Sequence, residues 1–224
     1  MKTVKFFILL LFVSLICSCR SIFMASYGMS KKIEILDKEG VIKYGEKFNI
    51  ASNDLYELDS TYYDALLSMT HTSGTDFFKE YSQPFQAMYF DKSGKLIAFF
   101  IGCYAKMGFL NIKWNANREF DTFPPAQQAG HPLDTLNLFN WFKVNQCFKK
   151  ISEDENITEQ QYDYYVVVFW DTFGGRQSKR LVSTVQNNIK LTDAKVKSLF
   201  VNINNYFCYE DKKMSSGRQK SENK

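Results

Sequence analysis

Tyr164-Tyr165-Val166-Val167-Val168-Phe169-Trp170-Asp171-Thr172-Phe173-Gly174-Gly175-Arg176-Gln177 is the stretch whose reading decides the fold. Seven strand formers follow one another without polar alternation, which predicts a strand covered on both faces, in the middle of a parallel or mixed sheet. Gly174 and Gly175 then permit a sharp strand-to-helix turn. Leu181, Val185 and Ile189 repeat at helical spacing, with Val182 beside them, so a helix starts at once. Open α/β sheets usually keep their sites at the carboxyl ends of such strands. Asp171, Phe173, Gly174, Gly175, Arg176 and Gln177 are therefore the candidate binding edge.

Working outward toward the carboxyl end, Lys197 to Ile203 predicts a further strand, and residues 209–224 a charged, disordered tail. Toward the amino end, Gln83 to Gly102 predicts a hairpin. Two apolar runs flank Asp91-Lys92-Ser93-Gly94, and Pro84 heads the first of them, a position where strands tolerate proline. Residues 61–69 and 75–81 read as helices capped by Ser60 and Thr75, and 48–58 as a short extended piece. Leu138, Trp141, Val144, Phe148 and Ile151 predict a helix over 132–151. Residues 103–130 read as an irregular excursion packed by aromatics, and 152–163 as a surface linker. Lys32 to Tyr44 alternates around Asp37-Lys38-Glu39-Gly40 and predicts an N-terminal β-hairpin.

The first residues give an address. Lys2 and Lys5 precede an apolar run, Phe6 to Ile16, too short to span a bilayer permanently, and small residues follow. Ile16-Cys17-Ser18-Cys19 resembles the bacterial lipobox, which implies a signal peptide over 1–18, lipidation of Cys19 and a tether over 19–31. The partner so implied is a membrane, and the compartment is the bacterial cell envelope, with residues 32–208 as one domain in the periplasm. A hydrophobic content of 45%, with 21 Phe and 13 Tyr, is ample for one core. The net charge of +4 is mild and its basic residues are spread along the chain, so no nucleic-acid partner is expected.

The segment from Val168 to Gln177 resembles the active-site segment of thioredoxin-like proteins, in which a buried strand ends in Phe-Trp-x-x-Trp before Cys-x-x-Cys. Here Gly174 and Gln177 stand at the two cysteine positions, and Arg176 replaces the intervening proline. Pro84 to Gly102 is similar to the other half of that fold, where a cis-proline starts a strand, a hairpin follows and a last helix, here 132–151, closes the sheet. The resemblance implies an α/β (α+β) fold with a mixed central sheet and helices on both faces, its two halves in permuted order.

The chemistry departs from the family. Thiol exchange needs a low-pKa thiolate at a helix start with a resolving partner, and Gly174 and Gln177 supply neither. No catalytic residue, metal ligand or cofactor is expected. His71 and His131 lack metal-type spacing. Asp37 and Asp91 suit turns, and Asp171 is placed where burial would raise its pKa. The helix start after Gly175, with Arg176, could take an anion. The expected function is binding or scaffolding of an envelope component through this edge and Pro84. The rival readings are an oxidoreductase using Cys103, Cys147 or Cys208, and a purely structural lipoprotein.

Overall fold

The computed structural model describes residues 24–30, 32–73, 75–126, 137–140, 144–152, 157–158 and 160–209. Residues 1–23, on which the expected signal peptide and the expected lipidation of Cys19 fall, lie outside the described residues, as do His131, residues 210–224 and the side chain of His71.

After helical residues at 24–26, helix α1 spans Lys38–Lys47 and strand β1 Leu55–Leu58. Helices α2, Thr61–Ser73, and α3, Thr75–Tyr81, follow. Strands β2, Gln86–Asp91, and β3, Leu96–Ile101, form the hairpin read around Asp91. The Asp91 carboxylate accepts from the backbone N–H of Ser93 and Lys95, at 2.9 and 3.0 Å, and Gly94 takes the positive φ. A small second sheet pairs β4, Lys106–Gly108, with β5, Asn111–Lys113. One helical turn, α4 (Val144–Cys147), leads into β6, Phe148–Lys150. Strand β7 spans Tyr164–Trp170, helix α5 Gly175–Ile189 and strand β8 Val196–Asn202.

The main sheet is six-stranded and mixed, in the order β3-β2-β7-β8-β1-β6. The apolar run of β7 lies at its centre, antiparallel to β2 and parallel to β8. Its side chains alternate between two cores. Tyr165, Val167 and Phe169 join Met88, Phe90, Leu199 and Val201 under α2 and α3. Val166, Val168 and Trp170 join Ala87, Tyr89 and Phe200 under α1 and α5. Helices thus cover both faces, which is why β7 carries no polar residue.

Three expectations are corrected. Residues 32–44 form no hairpin: Asp37 caps α1, its side chain accepting from the Gly40 N–H at 2.8 Å, and Val41 and Gly45 turn inward. A capping aspartate three residues before glycine resembles a turn signal when neighbouring residues alternate. Residues 132–151 are not one helix in their described part. Asn137 bridges Lys95, and Phe148, Lys149 and Lys150 pair with β1. Phe148 and Ile151 are both buried but join opposite cores, and their spacing of three suits one face of a helix as well as the two faces of an extended segment. The excursion after Cys103 also holds the β4–β5 ladder, although Trp114 and Phe120 pack inward as read.

Candidate functional site

The carboxyl end of β7 opens on Asp171, which is wholly buried. Its backbone N–H donates to Ser178 Oγ at 3.0 Å, and its Oδ1 accepts from the Gly174 N–H. Its Oδ2 is buried with no hydrogen-bond partner. Burial pushes the carboxyl up to about 7, against the pull of the Gly174 hydrogen bond.

Gly174 is helical in φ, so space rather than backbone freedom selects glycine there. A Cβ would stand within van der Waals overlap of the Phe85 ring and 2.6 Å from Asp171 Oδ1. Phe85 follows Pro84, so the proline-headed strand start lies directly beside the glycine corner. The cis peptide bond among the described residues is Phe123–Pro124, so the expected cis bond before Pro84 is not found.

The corner does not lie open as a docking edge. Residues 26–30 cross it. Gly28 O accepts from the Arg176 N–H at 3.1 Å, and Ser30 N–H donates to Phe173 O at 2.7 Å. Gln177 is fully buried: its Nε2 donates to Tyr27 O at 2.5 Å, and its Oε1 accepts from the Ile112 N–H at 2.9 Å. Arg176 reaches Ser26 O at 2.5 Å and Leu110 O at 3.1 Å. Gly175, at φ +49°, faces Gly28 O so closely that any Cβ would strike it. The anion site expected at the helix start is therefore corrected. The N–H of Arg176 already has its acceptor in Gly28, and those of Gln177 and Ser178 close onto Gly174 O.

The strap continues to Leu36. Asn204 Nδ2 donates to Glu34 O at 3.0 Å, while its Oδ1 accepts from the Thr172 N–H at 2.9 Å. Asn205 grips Leu36 at both backbone groups, accepting from its N–H at 2.8 Å and donating to its carbonyl at 2.7 Å. Sequence reading missed both asparagines. The signal was there in Asn202, Asn204 and Asn205, clustered at and just past the end of a buried strand, where polar groups must find partners.

No disulfide joins the three described cysteines. Cys147 is buried beside Thr61, Cys208 is half-buried after β8, and Cys103 is exposed. Cys103 follows β3 at the same end of the sheet as Gly174, two strands away, or about 10 Å from inter-strand spacing. Among the described residues no group of three His, Cys, Asp or Glu could hold a metal, and no helix is long and apolar enough to cross a membrane.

Beside the corner lies a groove of about 650 Å³ whose lining includes Lys113, Trp114, Asn115, Arg176, Lys179 and Arg180. Comparison with protein-family models, with curated proteins and with solved structures finds no match to this chain.

Proposed function

We propose that this chain is a membrane-anchored lipoprotein of a bacterial envelope whose thioredoxin-like domain, with its halves permuted, has no redox pair and serves in binding or scaffolding. The observation that carries this reading is the corner. Phe85 beside Pro84 lies against Gly174, the juxtaposition that the thioredoxin resemblance calls for. The positions of the two sulfurs hold Gly174, packed against a ring, and Gln177, committed to backbone groups. The trans bond before Pro84 and the short α4 in place of a closing helix depart from the family pattern.

In this reading the corner is an attachment point. Where a thiol exchanger would receive another chain's sulfur, this domain holds its own residues 26–36, so the tether leaves the fold from a fixed place. The domain is then displayed at a set orientation for an envelope partner.

Mass spectrometry of the mature protein tests the anchor: removal of residues 1–18 with acyl chains on Cys19 is expected, and Cys19→Ala should release the protein from membranes. Insulin reduction tests the missing chemistry. Turnover that disappears on replacing Cys103 would overturn the redox-inactive reading.

A further inference from the structure

The β4–β5 hairpin leaves apolar side chains in water. Phe109 at its tip is 90% exposed and Met107 56%. Leu110 stands beside them with φ +61°, a left-handed conformation that disfavours a branched side chain. An aromatic 90% exposed at a hairpin tip contributes little packing to the domain. The hairpin base adds an anomaly: Lys106 and Lys113 are directly paired across the two strands, an arrangement that repels unless an anion lies nearby.

The basic groove continues from that hairpin. Lys113 lines it together with Arg176, Lys179 and Arg180, all four exposed, and no carboxylate lines it. Both acids of this loop have partners within it, Asp121 in Asn115 and Arg118 and Glu119 in Asn117. The tip and the groove are one surface, because the Arg176 guanidinium donates to Leu110 O and a Cβ on Gly108 would touch the Lys113 stem.

The tether is fastened to the same surface. Arg176 holds Ser26 O, and Tyr27 donates to Gly108 O. From position 26 back to position 19 the backbone reaches at most about 25 Å, at roughly 3.6 Å per residue. A lipid on Cys19 would therefore keep this surface within that distance of the bilayer.

We propose that the Met107–Leu110 tip and the Lys113, Arg176, Lys179 and Arg180 groove form a face that rests on an anionic lipid surface, the aromatic at the headgroup boundary and the cations on phosphates. The orientation rests on the anchoring reading; the affinity of the face for lipid does not. An interfacial aromatic flanked by basic residues binds through apolar burial plus attraction to anionic headgroups, at roughly a five-fold gain for each cation near the surface.

The test places Phe109→Trp in the full-length protein purified from membranes and reconstituted in vesicles. Phosphatidylglycerol vesicles are compared with phosphatidylcholine vesicles, with brominated chains as quencher and the wild-type spectrum subtracted. A blue-shifted emission quenched in phosphatidylglycerol alone, and lost at high salt, is expected. Lys179→Gln with Arg180→Gln, two exposed side chains, should weaken docking on the order of twenty-five-fold, two cations at that factor each. Emission identical in both lipids, or indifferent to the two glutamines, overturns the proposal even if Cys19 is acylated. If mass spectrometry finds Cys19 unmodified, the anchoring reading fails on its own. The same vesicles, added to the purified protein, then support or overturn the lipid-binding face by the same two criteria.

Discussion

Replacing Asp171 by asparagine tests the corner through its least ordinary group. The carboxyl is fully buried, and burial raises it from 3.8 to about 7. Between those values the folded chain holds a proton that the unfolded chain has released, so stability declines as pH climbs. Its full contribution is present below about pH 4 and is gone once pH passes about 7. At about 1.4 kcal/mol for each pH step, the decline totals on the order of 4 kcal/mol. Asparagine keeps an oxygen for the Gly174 N–H and cannot ionise. Urea unfolding of both proteins from pH 4.5 to 7.5 supplies the readout. The variant should match the wild type at low pH and exceed it by a few kcal/mol at pH 7.5. Taking the difference removes the opposite pH dependence of carboxyls such as Asp59, which is lowered despite some burial by its bonds to Lys149 and Thr61. A difference that stays flat, or grows toward acid, would refute a buried protonated Asp171.

Gly175→Ala should loosen the strap, because its Cβ would meet Gly28 O and its φ of +49° disfavours a side chain. Limited proteolysis should then cut within 26–36 while the sheet resists. Gln177→Ala leaves the Ile112 N–H and the Tyr27 carbonyl without their partner, at a cost of about 1–3 kcal/mol for each buried group left unsatisfied, read as a lowered urea midpoint. Gly174→Cys with Gln177→Cys, which restores the missing sulfurs, should destabilise the domain rather than create an exchanger, since a Cβ at 174 overlaps Phe85. Insulin turnover by that variant would contradict the packing. Thiol titration of the folded protein should find Cys103 reacting first and Cys147 protected until unfolding.

The centre of the sheet was legible because β7 is self-announcing: seven strand formers with no polar residue have few places to go except between two packed layers. The Asp91 hairpin was legible for the same local reason, a turn whose side chain bonds its own backbone. Asp37 misled because a helix cap and a hairpin turn use the same residue types, and only the packing of Val41 and Gly45 decides between them. Phe148 and Ile151, three apart, share a face in a helix but take opposite faces in an extended segment with two cores, and pairing with β1 decides for the strand. The strand-to-helix turn falls at Gly174 as read, but its cover by the chain's own residues was not legible. Nothing local in residues 26–36 announces that carbonyls from there satisfy Arg176, Gln177, Asn204 and Asn205.

The strap has a consequence for how the domain is made. Arg176 and Ser26 are 150 positions apart, and Asn204 and Glu34 are 170. Such distant pairings raise contact order and slow the final step, since the chain must close a loop of nearly its whole length before the reward arrives. During synthesis residues 26–30 can settle once Phe173, Arg176 and Gln177 have appeared, whereas residues 34–36 wait for the two asparagines beyond β8. Glu34 and Leu36 are therefore among the last described residues to find their seat, and a chain truncated before position 204 would leave this end of the strap unfastened.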